Sequence, residues 1–220
     1  MNPDILKLID TDTWIASDHH HNHKRIGEFE PSRIIRATEL GYDNYENMLI
    51  DSHNQLVNPD DIVLFLGDFS FSSPRDAKFY NGRKIIIIGN HDTRGDHAYY
   101  DAGFEFVIRG TYLQQDDFLF HCQHSDPKQS MFCKQINDRG IAFTHYPLGF
   151  DDGYNRKHED GSFSIIDRMN YSYGIAQSID IDTIIHGHLH SKLASGSDFD
   201  YINVSLEHTD FKPVKIGDLL

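Results

Sequence analysis

The sequence predicts an α/β protein in which mixed β-structure is packed as a sandwich. The continuous apolar run of residues 62–66 is typical of a strand that is buried on both faces. Residues 84–88, in which four isoleucines follow Lys84, predict a second buried strand. Strand and helix patterns alternate in the first half of the chain, whereas strand patterns dominate the second half. This order favours a mixed α/β sandwich over a purely parallel sheet.

Each predicted element has a local signature in the sequence. Residues 43–57 carry apolar side chains near helical spacing, which predicts an amphipathic helix. A second helix is predicted from Ser73 to Tyr80, with the serine as its cap and Pro74 at the first helical position. The predicted strands cover residues 14–17, 62–66, 84–88, 104–109, 117–122, 141–144, 183–185, 201–206 and 214–216.

Length, charge and hydropathy limit the possible functions. The chain has 220 residues, which suits one domain over residues 1–220. Its formal charge of −14 argues against non-specific binding of duplex nucleic acid. No run approaches the roughly 20 apolar residues that span a bilayer. Residues 1–4 do not form a positive segment followed by an apolar run, so we expect a cytoplasmic protein that makes no membrane contact.

The two cysteines, Cys122 and Cys133, allow two interpretations. A disulfide is disfavoured in a cytoplasmic chain. Together with His121 and His124 the thiols could form a small zinc site, although their spacing matches no standard pattern. The alternative is a pair of thiols on neighbouring strands.

Polar clusters follow five of the predicted strands, at the point where each strand ends. In open α/β sheets, ligands bind beyond the carboxyl ends of the strands, so these clusters are expected to converge. Imidazole combined with carboxylate suits Mn, Fe, Zn or Ni better than Mg or Ca. The set is too large for one tetrahedral ion and is sufficient for two ions that share a carboxylate. The clusters are Asp18-His19-His20, Gly67-Asp68, Gly89-Asn90-His91-Asp92, His145 and His186-Gly187-His188-Leu189-His190.

In order and composition, the five clusters resemble the signature of the calcineurin-like metallophosphoesterases. That signature is D-x-H, GD, GNH[DE], a lone His and GHxH, and the resemblance spans residues 18 to 190. Residues 201–205 are also similar to the closing strand of small bacterial and phage members. The resemblance implies an α/β/β/α sandwich of two mixed sheets flanked by helices. It also implies hydrolysis of a phosphomonoester or phosphodiester by metal-activated water.

The resemblance implies a metal-binding role for seven residues. One divalent ion would be held by Asp18, His20 and His190, and a second by Asn90, His145 and His188. Asp68 would bridge them, because one carboxylate can offer an oxygen to each of two dications about 3.5–4 Å apart. Manganese is the expected metal, with iron, nickel or zinc as alternatives.

Four further residues are expected to act on the substrate. The resemblance implies that His91 donates a proton to the leaving oxygen and that Asp92 bonds its other ring nitrogen and fixes its orientation. His23 is a candidate phosphate contact, because small members of the family often carry a second histidine at this place. Arg25 is a candidate on charge grounds alone.

The sequence does not identify the substrate or the role of one segment. Residues 150–178 separate His145 from the last cluster by more than small members of the family need. They form either a lid or recognition loop or a surface insertion. The expected partner is a small phosphate-ester substrate. The alternative functions are a catalytically idle scaffold that binds a protein partner, and a nuclease that acts on nucleic-acid ends or single strands.

Overall fold

Two β-sheets occupy the centre of the protein. The structure is a computed structural model that describes residues 2–122, 130–149, 165–194 and 198–220, with the backbone alone for residues 165–171. The strands in these ranges are β1 (Trp14–Ala16), β2 (Ile62–Phe65), β3 (Arg83–Ile87), β4 (Phe104–Ile108), β5 (Thr111–Gln115), β6 (Phe118–Cys122), β7 (Met131–Ile136), β8 (Arg139–Thr144), β9 (Thr183–His186), β10 (Asp200–Asn203) and β11 (Val214–Lys215).

Helices lie on the outer faces of the sheets. They are α1 (Ile26–Phe29), α2 (Pro31–Glu39), α3 (Tyr45–Asn54), α4 (Asp96–Asp101) and α5 (Ile165–Ser178), with short 3-10 helices at Pro3–Leu8, Pro74–Phe79 and Ile216–Asp218. The Asn44 side chain caps α3 by accepting a hydrogen bond from the Asn47 N–H. Among the described helices, none combines the length and the apolar character that a membrane crossing requires.

The strand order directs the carboxyl ends of the central strands toward a common region. The first sheet has the order β11-β1-β2-β3-β4, in which β1 to β4 are parallel and β11 is antiparallel to β1. The second has the order β10-β9-β8-β7-β5-β6, in which β8, β9 and β10 are parallel. The loops that follow β1, β2, β3, β8 and β9 carry all five polar clusters.

The two sheets are packed face to face. Ile15, Leu64 and Ile85 from the first sheet share one buried apolar cluster with Phe143 and Ile185 from the second. Removal of this surface from water is the main favourable contribution to packing.

The outer faces are covered separately. On the first sheet, Phe65 packs with Ala77 of the 3-10 helix and with Tyr99 of α4, whereas Ala176 of α5 packs on the second with Ile184. The order of layers is therefore helix, sheet, sheet, helix, as the family resemblance implied.

Several predicted elements differ from the structure. Residues 74–79 form a 3-10 helix rather than an α-helix, and the Ser73 side chain makes no capping hydrogen bond. Instead, the Ser73 N–H donates to the Ser70 hydroxyl at 3.3 Å. The sequence did not predict the strands β5 and β7 or the helices α1, α2, α4 and α5.

The positions of the cysteines correct both interpretations of them. Strand β5 lies between β6 and β7, so Cys122 and Cys133 are not on neighbouring strands. Cys133 is buried in an apolar cluster, and this burial raises the pKa of its thiol, whereas Cys122 is exposed. The intervening strand therefore separates the two thiols, which a shared zinc ion would have to bring together. His124 lies outside the described residues.

The segment 150–178 is described only in part. Residues 150–164, on which the choice between lid and insertion depends, lie outside the described residues. Residues 165–178 form α5, in which Ala176 is buried against the second sheet. This helix therefore covers the core.

Candidate metal centre

Main-chain hydrogen bonds that continue past the strand ends join four of the five loops in two pairs. Beyond β1 and β2, the Asp18 N–H donates to the Gly67 carbonyl at 3.1 Å and the His20 N–H donates to the Asp68 carbonyl at 2.9 Å. In the second sheet, the Gly187 N–H donates to the His145 carbonyl at 3.0 Å. The candidate residues thus lie on backbone that is fixed by the sheets.

Left-handed backbone aims the candidate side chains at one point. This conformation is uncommon for residues with a side chain, although Asp, Asn and His adopt it more often than others. Such strain often occurs at functional sites. The residues are Asp18 (φ 62°), His20 (φ 53°), Asp68 (φ 51°), His188 (φ 70°) and His190 (φ 50°).

Two glycines permit the loops to approach each other. A Cβ at Gly187 would lie 1.9 Å from Ser17 Oγ and 2.4 Å from Asp18 Oδ2. A Cβ at Gly89 would lie 2.3 Å from Asp68 Oδ1. Neither distance is compatible with a side chain, so glycine is required at both positions.

Asp18, His20 and His190 form the first group able to bind a metal ion. Asp18 Oδ1 lies 3.7 Å from His20 Nε2 and 3.9 Å from His190 Nε2. Asp18 Oδ1 and both His20 ring nitrogens are buried and have no hydrogen-bond partner. The other oxygen, Asp18 Oδ2, accepts hydrogen bonds from the His188 N–H at 2.9 Å and the Ser205 hydroxyl at 3.0 Å.

The Asp68 carboxylate lies between three imidazoles. Its Oδ2 is 3.5 Å from His145 Nε2, 3.6 Å from His20 Nε2 and 3.9 Å from His91 Nε2. Its Oδ1 accepts a hydrogen bond from the His91 N–H at 2.8 Å. Burial alone would raise the pKa of Asp68, but the neighbouring His145 lowers it well below its usual value. Asp68 is therefore an anion at the centre of the cluster.

His145 presents a ring nitrogen to two oxygen acceptors. Its Nδ1–H donates to the Leu66 carbonyl at 2.8 Å, and its Nε2 faces Asn90 Oδ1 at 3.0 Å as well as Asp68. Burial opposes protonation, but the Asp68 carboxylate raises the pKa of His145 to about 9. In the neutral ring Nε2 carries a lone pair, so the contact with Asn90 requires a proton or another cation between the two atoms.

The His188 ring lies beside the rings of His145 and Tyr146. Its ring centroid lies 5.1 Å from that of His145 and 4.6 Å from that of Tyr146. The Tyr146 hydroxyl donates to Asn90 Oδ1 at 3.3 Å, which orients the amide. Asn90, His145 and His188 therefore lie close to one another.

The chemistry and geometry of the residues fit a metal site. Buried polar atoms normally have hydrogen-bond partners, and the exceptions here belong to residue types that bind cations. Asp18, Asp68 and His145 form another group able to hold a metal ion, and His20, Asp68 and His91 form a third. The donor set, rich in imidazole, is typical of transition metals and zinc.

The structure corrects the expected role of Asp92. Its carboxylate accepts hydrogen bonds from the N–H groups of Asp68 at 2.7 Å, Gly89 at 3.0 Å and Phe69 at 3.2 Å. These donors belong to the loops after β2 and β3. Asp92 therefore ties the two loops together and does not orient the His91 ring.

A buried network that no sequence motif indicates lies behind the site. Arg33 of α2 donates to the carbonyls of Asp18 at 2.6 Å and His19 at 2.9 Å, and also to Glu207 at 2.6 Å. Glu207 Oε2 in turn lies 3.3 Å from His190 Nδ1. Burial would raise the pKa of Glu207, but the bond with His190 and the charge of Arg33 lower it. A carboxylate behind a metal-binding histidine orients the ring and increases its basicity.

A curated relative supports a family assignment. The uncharacterized protein MJ1445 of Methanocaldococcus jannaschii is 34% identical over 127 residues, which cover 50% of this chain and 68% of the relative. This chain belongs to the MJ1445 family. No family model matches it. The gene 66 protein of Mycobacterium phage L5 is 33% identical over 89 residues, which cover 37% of this chain and 40% of that protein.

Solved structures resemble this member of the MJ1445 family in fold. The protein of unknown function AQ665 from Aquifex aeolicus has a TM-score of 0.64 at 20% identity, with 94% of this chain and 96% of that chain covered. A novel archaeal phosphodiesterase reaches a TM-score of 0.37 at 15% identity, with 87% and 81% covered. A likeness at the latter level does not indicate a shared activity.

Two further candidates occupy different places in this MJ1445-family protein. The His23 ring lies 5.7 Å from the His20 ring and 6.4 Å from the His91 ring, at the border of the site. Arg25 is exposed and paired with Glu28 at 2.8 Å. The structure therefore places His23, but not the Arg25 guanidinium, beside the groups that are able to bind a metal ion.

Proposed function

We propose that this protein hydrolyses a phosphate ester at a centre of two divalent metal ions, with manganese as the first candidate. One observation carries the proposal: the buried Asp18 Oδ1 and the His20 ring nitrogens have no hydrogen-bond partner and face Asp68 and His190. A buried polar atom without a partner costs free energy, and a bound cation would remove that cost.

Seven residues would hold the ions. Asp18, His20 and His190 would bind one ion, and Asn90, His145 and His188 the other. Asp68 would serve both, since its carboxylate already lies within 3.6 Å of the nitrogens of His20 and His145. This anion would offset the repulsion between two dications.

The protein would supply proton transfer and fixed geometry. When bound, such ions polarise a phosphoryl oxygen and lower the pKa of a water molecule. His91 has a half-exposed ring within 3.9 Å of Asp68, so it can reach a substrate and protonate the leaving oxygen. Asp92 would keep the loops of Asp68 and His91 in register.

A substrate screen tests the proposal. The protein is stripped with chelator, reloaded with Mn²⁺ or Ca²⁺, and assayed with aryl phosphate monoesters, aryl phosphate diesters and cyclic nucleotides. We expect turnover with at least one ester class, and better restoration by Mn²⁺ than by Ca²⁺, because the donor set is rich in imidazole.

Two results would count against the proposal. No turnover by the fully loaded protein with any of these esters would contradict hydrolysis and favour the idle scaffold. Equal turnover in an Asp68→Asn preparation would show that a contaminating phosphatase produces the signal.

A further inference from the structure

An aromatic pocket opens beside His91 and is not used by the proposed chemistry. Its volume is about 450 Å³, and its lining comprises Asn22, His23, Lys24, Arg25, Phe29 and Phe71. Phe29 is 60% exposed and Phe71 is 45% exposed. Pockets that hold small molecules usually measure about 300–1,000 Å³ and combine an apolar wall with a few polar groups.

The wall of this pocket is continuous with the candidate metal centre. The Phe71 and His91 rings are 4.8 Å apart at an interplanar angle of 33°. The His23 ring packs edge-on against Phe71 at 4.4 Å and lies 6.0 Å from Phe29. A group attached to a phosphate held near His91 would therefore enter between Phe71 and Phe29.

Two cationic side chains line the rim of the pocket. Lys24 and Arg25 both line the pocket, in a chain whose formal charge is −14. The Arg25 guanidinium lies over the Phe29 ring, 5.2 Å from its centroid, while it pairs with Glu28. A planar cation on an aromatic ring extends the surface on which a flat ligand can stack.

We propose that the pocket of Phe29 and Phe71 binds the base of a nucleotide whose phosphate ester occupies the metal centre. This inference rests on the proposed function and narrows its substrate to nucleotide esters. Exposed aromatic side chains bind bases by stacking, with little dependence on which base is bound. An aliphatic alcohol or a bare sugar would gain no such stacking on Phe71.

A matched pair of esters tests the preference. For the ester class that the screen identifies, kcat/KM is measured for an adenosine 5′-ester and for the corresponding ribose 5-ester, which lacks only the base. We expect the adenosine ester to be preferred by about tenfold or more, equal to about 1.4 kcal/mol. The ratio should fall toward one in Phe71→Ala and in Phe29→Ala.

The control variant is Phe118→Ala. Phe118 is a 69% exposed aromatic residue on β6, at the edge of the second sheet, and it should keep the wild-type ratio. A wild-type ratio near one, or an unchanged ratio in Phe71→Ala, would overturn the inference while leaving hydrolysis intact.

A binding measurement separates this inference from the proposed function. Adenosine has no phosphate ester to hydrolyse, so saturation transfer from the zinc-loaded protein to its adenine protons reports on the pocket alone. We expect transfer in the wild type and in Phe118→Ala, and a several-fold loss in Phe71→Ala. Saturation transfer without turnover of any ester would support base binding in the pocket and would contradict the proposed hydrolysis. The absence of transfer in the wild type would refute the pocket.

Discussion

At the scale of single residues, the candidate centre depends most on Asp68. We expect Asp68→Asn to abolish hydrolysis and to reduce bound metal from near two ions per chain. The loss of one shared anion weakens both proposed sets of metal-binding residues. Metal analysis and activity of the same preparation check this. Asp60→Asn, which removes an exposed carboxylate, is the matched control. Full metal occupancy in an active Asp68→Asn protein would disprove the bridge.

His91 separates proton transfer from metal binding. We expect His91→Ala to retain metal and to lose turnover by roughly 10²–10⁴-fold, the usual range for general acid–base catalysis. The loss should be smaller for substrates with good leaving groups, which need little protonation. His91 Nε2 also belongs to a group with His20 and Asp68 that can hold a metal ion. Loss of metal from the variant would therefore reassign His91 as a ligand.

Glu207 is expected to position His190. In Glu207→Gln the bond to His190 Nδ1 loses its charge, and we expect metal affinity to fall by roughly tenfold or more. Competitive titration with a metal indicator measures this. Glu105 forms an exposed pair with Arg83 at 2.9 Å, so Glu105→Gln removes a similar charge without touching the site. Equal affinities in the two variants would refute the positioning role.

The sequence predicts the residues of the site better than their partners. Asp18, Asp68 and His145 could be found because each follows a strand. Arg33 and Glu207 could not, since nothing in the local sequence indicates that a helix and a C-terminal loop meet behind His190. Asp92 was misassigned for a related reason. It follows His91 in the sequence, but its carboxylate turns back to the main-chain N–H groups.

At the scale of elements, a strand or helix can be predicted from the sequence only where its buried residues are apolar. Strand β2 is a continuous apolar run and β3 contains a run of isoleucines, and both strands were predicted within one residue of each end. Helix α2 reverses the usual pattern, because Arg33 is fully buried whereas Ile34 and Ile35 are exposed. Apolar periodicity cannot identify such a helix, since its buried face is fixed by hydrogen bonds to the loop of Asp18.

At the scale of the whole molecule, buried histidines predict sensitivity to acid. His53 stacks on Phe65 in the core, and burial lowers its pKa from 6.5 to about 4. The unfolded chain therefore binds a proton that the folded chain excludes between these values. The contribution of His53 to the free energy of unfolding is therefore fully present above pH 6.5. It falls by about 1.4 kcal/mol per pH unit as the pH decreases from 6.5 toward 4.

A variant of His53 tests this linkage. We expect His53→Gln to reduce the slope of the free energy of unfolding against pH, between about pH 6.5 and 4, by roughly one proton. Urea unfolding at a series of pH values measures the slope. His97→Gln removes an exposed imidazole and should keep the wild-type slope. A slope in His53→Gln equal to that of the wild type would contradict the assignment.

Few amino acids combine tolerance of a positive φ with a side chain that can bind a metal ion, as the left-handed positions require. Glutamate and cysteine can bind metal ions but do not share the tolerance of Asp, Asn and His for positive φ, and glycine accepts the backbone but offers no ligand. Substitution at Asp18 or Asp68 is therefore confined to a very small set if the loops are to stay folded. A relative that keeps this fold but lacks the proposed metal centre should carry asparagine or glycine at these positions, so such relatives could be recognised from their sequences.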